Sequence, residues 1–228
     1  MRKHDADVII AGAGMAGTTL ALALASAGVK PLLVDPQPFD AQLAPTFDGR
    51  SSAIAYSSFR QWRTIGAGEA LGPHAQRIEQ ILVTDGRAPS AAARKPSAAF
   101  LRFDSSEISG RIEGEPLGYL IENRRIRQAL AQAVTERQIP VIAPMSAKGL
   151  AVDAAGARLT LADGRVLSAP LAVSAEGRGS VLRRAAGIGD IGWSYRQSGV
   201  VATVRMQRPH EGVAHVYFLP SGPFAILP

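Results

Sequence analysis

Three glycines and one aspartate near the start of the chain have the types and the spacing that dinucleotide chemistry requires. Gly12, Gly14 and Gly17 directly follow the apolar run 8–11, and Asp35 ends the next apolar run. Glycine permits a sharp turn out of a strand and lets the backbone approach a pyrophosphate closely. The N–H groups and the positive dipole end of a following helix attract phosphate, and a carboxylate at the end of the second strand can accept hydrogen bonds from a ribose diol. The pattern predicts a dinucleotide site.

The elements around these residues support that interpretation. The run 8–11 is short enough for a strand buried on both faces, residues 15–27 are rich in Ala and Leu and favour a helix, and Gly28 is placed to end that helix. A second strand is predicted over residues 31–34. In this arrangement Gly17, together with Ala21, lets the helix lie close to the strands.

Two other interpretations of the same stretch stay open at this point. One is a glycine-rich turn in an ordinary strand–helix–strand unit. The other is a signal peptide, because Arg2 and Lys3 precede an apolar stretch and residues 25–27 resemble a cleavage site, although Asp5 and Asp7 disturb the charged start that such peptides have.

Composition excludes several classes of protein. The chain has 228 residues, 46% hydrophobic and 19% charged, which is typical of a globular protein rather than a disordered one. It contains no cysteine, so disulfides, thiolate metal sites and cysteine nucleophiles are excluded. No apolar run is long enough to span a bilayer. We expect a cytoplasmic protein, with peripheral contact at the inner membrane as the alternative.

The net charge of +6 limits the possible partners. A basic balance suits nucleic acid, an anionic membrane face or an anionic cofactor. No lysine-rich tail, zinc-finger spacing or aromatic RNA-binding signature accompanies the charge, so we do not expect nucleic acid. A membrane face is more compatible with the sequence.

The middle of the chain mixes helical and strand patterns. Arg50 precedes a segment, 51–66, whose apolar residues recur at helical spacing. Next to a pyrophosphate site, Arg50 could clamp phosphate or lie against a cofactor ring, and the alternative is a solvated loop arginine. Residues 78–84 are predicted to form a strand and residues 85–100 a loop or a loose hairpin, with residues 100–103 as its returning strand.

From Tyr119 the pattern becomes helical again, with Asn123 near the helix start. A second strand–turn–helix then repeats the logic of the first one. Its strand, glycine-rich turn and short helix are predicted over residues 171–174, 175–180 and 181–186, and the turn can present N–H groups to a second part of a cofactor. The remaining predicted strands cover 140–143, a meander over 148–169, and 200–205, 213–219 and 224–227.

Four stretches together resemble a known family. They read DVIIAGAGMAGTTLALALASAG, DGRSSAIAYSS, GYLIENRRIRQAL and LAVSAEGRGSVLRRAAGI. In this order they resemble flavoprotein aromatic monooxygenases of the p-hydroxybenzoate hydroxylase type, and more closely the ubiquinone-biosynthesis hydroxylases that act on polyprenylated phenols. The resemblance covers nearly the whole chain.

The resemblance implies a role for each matching residue. The first loop holds the FAD pyrophosphate, the next strand end holds the adenosine ribose, two further residues touch the flavin cofactor, and the second turn serves both flavin and NAD(P)H. In that order the residues are Gly12, Ala13, Gly14, Met15, Ala16 and Gly17; Asp35; Arg50 and Asn123; Glu176 and Gly177. Glu176 stands where the family has Asp, so the charge is kept on a longer side chain. The family's third fingerprint, a Gly-Asp turn, does not occur before Pro228, so we expect a partial family member.

The fold implied is α/β: a Rossmann-like FAD-binding domain of the glutathione-reductase type, interleaved with a β-rich substrate domain. We assign residues 1–75 and 107–187 to the FAD-binding domain and residues 76–106 and 188–228 to the substrate domain. The C-terminal part of the family fold is expected to be absent.

The activity implied is hydroxylation of a phenolic ring. In the family, NAD(P)H reduces FAD, O₂ converts the reduced flavin to a hydroperoxide, and this species transfers a hydroxyl group to the substrate, here a prenylated phenol. The protein supplies orientation and a dry pocket, so no catalytic dyad and no metal site is expected. Contact with a membrane or a biosynthetic complex would suit such a substrate. The alternatives are an FAD-dependent dehydrogenase or reductase, and an inactive nucleotide-binding remnant.

The remaining candidate residues have ordinary interpretations. The four histidines lack the spacing of metal ligands, so we expect surface or core histidines; they are His4, His74, His210 and His215. Tyr195, Tyr217 and Phe218 would line the substrate side, although aromatic residues on strands more often belong to a core.

Overall fold

The structure is a computed structural model, and it describes residues 4–43, 46–85, 101–108 and 114–228. The described residues form two compact units. The first unit consists of Met1–Asp48, Trp62–Ala70 and Asn123–Val200, and the second of Gly49–Gln61, Leu71–Glu122 and Val201–Pro228. The chain therefore passes between the two units several times.

The elements are numbered in chain order. The strands are β1 (Val8–Ala11), β2 (Pro31–Val34), β3 (Ser51–Ala55), β4 (Gln76–Ile78), β5 (Gln80–Thr84), β6 (Leu101–Asp104), β7 (Gly118–Glu122), β8 (Val141–Ile142), β9 (Ala147–Asp153), β10 (Gly156–Leu161), β11 (Val166–Ala169), β12 (Leu171–Ser174), β13 (Val213–Leu219) and β14 (Gly222–Ile226). The α-helices are α1 (Met15–Ser26), α2 (Tyr56–Thr64), α3 (Gly68–Leu71), α4 (Asn123–Glu136) and α5 (Val181–Ala185). Short 3₁₀ helices cover Phe39–Gln42, Gly72–His74, Ser105–Glu107 and Gly177–Gly179.

The first unit is built on a parallel sheet with the strand order β12-β1-β2-β8. Every residue of β1 and β2 is buried, as expected for central strands of a parallel sheet covered on both faces. Helix α1 makes the connection from β1 to β2, and Gly28, at φ +78°, follows its C-cap. These observations confirm the predicted strand–helix–strand unit.

Helix α4 packs against α1 through an apolar stripe that includes Ile126, Leu130 and Val134. Beyond its last turn, Arg137 donates to the carbonyl oxygen of Leu22 at 3.2 Å and to Ser26 Oγ at 2.6 Å. One guanidinium therefore joins α4 to the C-terminal end of α1.

The predicted meander is confirmed as an antiparallel sheet with the strand order β11-β10-β9. It packs on the parallel sheet and closes the core of the first unit. The buried side chains of this core are Ala6, Ile9, Ala11, Leu32, Val34, Ala147, Leu159, Leu161, Leu167, Ala169 and Leu182.

The second unit contains two sheets, with the strand orders β14-β13-β5-β6 and β3-β7-β4. Strands β5 and β13 are parallel neighbours, and β6 returns antiparallel to β5, as predicted. Helix α2 begins directly after β3, and its Phe59 ring lies 4.1 Å from the Tyr119 ring of β7. The unit is rich in β-strands.

Four predictions of secondary structure are wrong. Residues 51–55 and 118–122 form the paired strands β3 and β7, so the helices α2 and α4 begin only after them. The strand predicted over 78–84 breaks at Glu79, whose N–H donates to the carbonyl oxygen of Gly212 at 2.8 Å. Residues 200–205 are exposed and form no strand. The predicted loop or loose hairpin over 85–100 lies almost entirely outside the described residues.

Neither a membrane-spanning helix nor a metal cluster is found in the described part of the chain. None of its helices has the length and apolarity to cross a bilayer, and none of its His, Asp and Glu side chains form a group of three that could hold a metal ion.

Candidate dinucleotide site

The carboxyl ends of β1, β2 and β12 lie side by side at one edge of the parallel sheet. The N–H of Gly12, directly after β1, donates to the carbonyl oxygen of Val34 at 2.7 Å. The N–H of Ala175, directly after β12, donates to the carbonyl oxygen of Ala11 at 2.7 Å. The edge thus brings together the first glycine loop, the region of Asp35 and the second glycine-rich turn, which is where ligands bind in open α/β sheets.

Two of the three glycines are required by the packing of the chain on itself. Gly12 has φ +103°, and a Cβ there would lie 2.4 Å from the carbonyl oxygen of Ala175. A Cβ on Gly17 would lie 1.8 Å from the carbonyl oxygen of Gly12. These glycines let the turn, the helix and the second turn approach one another, as predicted for the first and third glycines of the motif.

Gly14 differs from the other two, because nothing in the folded chain requires a glycine there. It is the N-cap of α1, its φ of −71° is open to any residue, and a Cβ on it would meet no atom within 4 Å. No side chain caps the helix, and its first turn contains no acidic residue. An open space therefore lies in front of the N–H end of the helix, where a pyrophosphate would fit and a Cβ would intrude.

The carboxylate of Asp35 is buried and faces the same loop. Its Oδ2 accepts a hydrogen bond from Ala13 N at 2.6 Å, and its Oδ1 accepts one from Gln37 N at 2.8 Å. Asp35 is thus joined directly to the glycine loop, a contact that the sequence analysis did not predict.

Gln42 is a second loop contact that the sequence analysis missed. Its Nε2 donates to the carbonyl oxygen of Ala13 at 2.7 Å. A single polar residue 29 positions away from its partner carries no periodicity or motif that would have revealed it.

The carboxylate of Glu176 turns back into its own turn. It accepts hydrogen bonds from Ser174 Oγ at 3.0 Å, from Ser180 Oγ at 2.7 Å and from Leu182 N at 3.0 Å. Ser180 Oγ in turn accepts from Arg183 N at 2.9 Å. The first N–H groups of α5 are therefore held within the chain, whereas the sequence analysis expected the turn to present such groups to a cofactor.

These contacts lower the pKa of Glu176. Partial burial opposes ionisation, but the hydrogen bonds from Ser180, Leu182 and Ser174 favour the carboxylate and outweigh it. Because the pKa is lower in the folded than in the unfolded chain, the stabilisation is present above the unfolded pKa and is lost as the pH falls through the folded pKa.

We expect Glu176→Ala to lower the free energy of unfolding by about 1 kcal/mol at pH 7, because the carboxylate's hydrogen bonds with Leu182 N, Ser174 and Ser180 are lost. Urea unfolding at pH 7 and at pH 3.5 measures this, and the difference between the proteins should shrink at the lower pH. Glu136→Ala is a matched control on an exposed helix position, where only a bond with Gln132 is lost. Equal losses in both variants at both pH values would contradict the capping role.

The other two predicted cofactor residues lie in different units. Asn123 is the first residue of α4, in the first unit. Arg50 directly precedes β3, in the second unit. Two arginines of α4 contact residues that come shortly before Arg50 in the chain. The Arg124 guanidinium lies 4.7 Å from the centre of the Phe47 ring, and Arg127 forms an ion pair with Asp48 at 3.4 Å. The flavin contacts of Asn123 and Arg50 stay predictions.

The second unit carries a cavity of about 610 Å³, lined by β-sheet residues such as Leu82 and His215 and by the loop 206–211. His210 Nδ1 in that loop accepts from Gly212 N at 3.1 Å. Tyr217, predicted for the substrate side, is half-buried between the rings of His215 and Phe224, at centroid distances of 6.4 and 5.9 Å.

Comparison with known proteins decides the family. Residues 5–227 match the protein family described as FAD binding domain. The chain belongs to this family. The match covers both units, so the loop at α1 is the start of an FAD binding domain, as its geometry suggests.

Two relatives named for ubiquinone biosynthesis confirm the resemblance to the ubiquinone-biosynthesis hydroxylases that the sequence analysis found. Ubiquinone hydroxylase UbiL of Rhodospirillum rubrum is 41% identical over 98% of this chain and 49% of its own length. Ubiquinone biosynthesis monooxygenase COQ6 of Rattus norvegicus is 32% identical over 97% of this chain and 47% of its own length. The chain spans about half the length of the curated relatives it matches.

A solved structure supports the fold class. OxyS anhydrotetracycline hydroxylase from Streptomyces rimosus aligns with a TM-score of 0.60 at 21% identity, over 80% of this chain and 34% of that chain. At this identity the likeness shows the fold alone, and it confirms the predicted α/β class.

Proposed function

We propose that this chain binds FAD in its first unit and belongs to an enzyme that hydroxylates a phenolic ring in ubiquinone biosynthesis. The observation that carries the proposal is the open space at Gly14, in front of an uncapped helix and beside Asp35. The names of the two relatives support this proposal, since one is called a ubiquinone hydroxylase and the other a ubiquinone biosynthesis monooxygenase.

We further propose the finer fold: a Rossmann-like FAD-binding domain of the glutathione-reductase type, interleaved with a β-rich substrate domain. The parallel sheet of the first unit and its glycine loop support the former. The repeated passage of the chain between the two units and the strand content of the second unit support the latter.

Each end of the cofactor has candidate residues. The N–H groups from Gly14 into the first turn of α1 would hold the pyrophosphate at the positive end of the helix, since the N–H groups of Gly12 and Ala13 are donated to Val34 and Asp35. Asp35 would hold the adenosine ribose, because each carboxylate oxygen has two lone pairs and only one on each is used by the backbone donors at Ala13 and Gln37. Arg50 and Asn123 would touch the flavin.

The second turn has a supporting role in this proposal. Glu176 fixes its shape by capping α5, and Gly177, at φ +73°, continues the turn with its backbone exposed. The backbone of the turn, rather than the Glu176 carboxylate, is then the part available to flavin or NAD(P)H.

When bound, FAD supplies the redox chemistry that takes electrons from NAD(P)H and activates O₂ for hydroxylation. The chain's own part is to hold and orient the cofactor and to exclude water around it. We propose a prenylated phenol as the substrate and peripheral contact with a membrane or a biosynthetic complex, which the net charge of +6 supports.

The test is an absorption spectrum of the purified protein after FAD is added and excess cofactor is removed by gel filtration. We expect flavin bands that elute with the protein when FAD is used and not when FMN is used. FMN lacks the adenosine and half of the pyrophosphate that the loop and Asp35 would bind. A protein that stays colourless with FAD would contradict the proposal for this chain.

An assay of turnover separates hydroxylation from the alternative activity, that of an FAD-dependent dehydrogenase or reductase. A hydroxylase consumes O₂ with the phenol present and releases a hydroxylated product. A dehydrogenase or reductase oxidises NAD(P)H and passes the electrons on without forming that product.

A further inference from the structure

Both peptide groups in the tightest part of the glycine loop are held by side chains from outside the loop. We propose that Gln42 is a positioning residue for FAD, since it fixes the peptide that aims the Gly14 N–H at the pyrophosphate. The inference rests on the proposed function and adds a residue that neither the motif nor the resemblance includes.

The first peptide, between Gly12 and Ala13, is fixed from two sides. Its N–H donates to Asp35 Oδ2 at 2.6 Å. Its carbonyl oxygen points the other way, towards α1, where it lies 1.8 Å from the position that a Cβ on Gly17 would take. This peptide therefore has a single orientation in the folded chain.

The second peptide, between Ala13 and Gly14, is held by Gln42. Its carbonyl oxygen accepts from Gln42 Nε2 at 2.7 Å. In a planar trans peptide the N–H points opposite to the carbonyl oxygen. The Gly14 N–H consequently points away from Gln42, and a rotation of this peptide would redirect the donor at the N-cap of α1.

The hydrogen bond from Gln42 to the Ala13 carbonyl oxygen lies where its loss would be costly. Ala13 is fully buried, so loss of the Gln42 amide would leave a buried carbonyl oxygen without its side-chain donor. Gln42 itself ends the 3₁₀ helix Phe39–Gln42, which packs against α4. The backbone that carries the Gln42 side chain is therefore held by packing against α4.

The experiment compares FAD affinity in three variants with that of the unaltered chain. Gln42→Leu keeps much of the volume and removes the donor, and we expect the Kd for FAD to rise about three- to tenfold, as for one neutral hydrogen bond. Gln132→Leu is the control, since Gln132 donates to Glu136 on the exposed face of α4. Its Kd should stay unchanged.

Gln42→Glu provides a readout that a merely structural role would not move. At pH 8 the carboxylate cannot donate and repels the Ala13 carbonyl oxygen, so the Kd should rise at least as much as in Gln42→Leu. Near pH 4, at or below the ordinary pKa of a glutamic acid, much of the side chain is protonated and can donate again. We expect the affinity of this variant to recover towards the unaltered chain at the same pH, while that of Gln42→Leu does not recover. Equal affinity of Gln42→Leu and the unaltered chain would overturn the inference.

A second measurement keeps the inference separate from the proposed function. In ¹⁵N NMR spectra without FAD, Gln42→Leu should shift the amide signals of Ala13 and Gly14, and Gln132→Leu should not. Unmoved signals would overturn the inference even if FAD binds. If the unaltered chain binds no FAD, the proposed function fails, and so does the claim that Gln42 positions the loop for FAD. Shifted amide signals of Ala13 and Gly14 would in that case still show that Gln42 holds the loop.

Discussion

Gly17→Ala is expected to destabilise the native state severely. The added Cβ would lie 1.8 Å from the carbonyl oxygen of Gly12, which is backbone and cannot rotate away as a side chain would. That oxygen is also fixed, because the other end of its peptide, the Ala13 N–H, is bonded to Asp35. We expect a loss of about 3 kcal/mol or more in the free energy of unfolding, measured by urea denaturation.

The matched control is Gly149→Ala in β9. A Cβ there would have its nearest neighbour, Thr160 Cβ, at 3.8 Å, which is an ordinary contact. We expect the free energy of unfolding to change by less than about 1 kcal/mol, since alanine also reduces the conformational freedom of the unfolded chain. Similar urea midpoints for the two variants would show that α1 can move away from β1, contrary to the packing described here.

The strand–helix–strand start of the fold was predictable because its signals are local. The runs that form β1 and β2 are apolar throughout, α1 is rich in strong helix formers, and Gly28 follows it with a positive φ. The same reasoning located β12 and α5. In each case neighbouring residues carry the information, so no knowledge of the rest of the chain was needed.

The errors fall where distant pairing decides the structure. Four of the residues 51–55 are Ser or Ala, whose small side chains do not favour a strand, and the segment forms β3 because β7 lies antiparallel to it. Ile121 fits a helical stripe in the sequence yet belongs to β7, and Asn123 marks the true start of α4. Periodicity cannot show a pairing partner about seventy residues away, so the two helix starts were placed too early.

The candidate site shows the same division. The glycines and Asp35 were found because motif spacing places them at one sheet edge. The bonds from Gln42 to Ala13 and from Glu176 to α5 depend on how far a side chain reaches and where it turns, which a pattern of residue types does not encode. A side chain can therefore lie at the predicted sheet edge while its hydrogen bonds differ from those expected.

Gly14→Ala is expected to have the opposite profile to Gly17→Ala: a stable fold with severely weakened FAD binding. The φ of −71° suits alanine, and the added Cβ would meet no atom of the chain within 4 Å. Alanine is a poorer N-cap than glycine, so we expect a loss of less than about 1 kcal/mol in stability. The new methyl group would stand in the space proposed for the pyrophosphate, and we expect the Kd for FAD to rise on the order of 100-fold, about 2.7 kcal/mol.

Fluorescence titration with FAD and urea denaturation of the same preparations measure both effects. Gly189→Ala is the control, because this exposed glycine also has no neighbour within 4 Å of an added Cβ and lies outside the loop. It should leave both quantities unchanged. If Gly14→Ala binds FAD as tightly as the unaltered chain, the pyrophosphate does not approach the N-terminus of α1, and the glycine at this position would lose its explanation. A separation of the two effects, with Gly17 controlling the fold and Gly14 controlling the ligand, would show that one motif serves two physical requirements through different members.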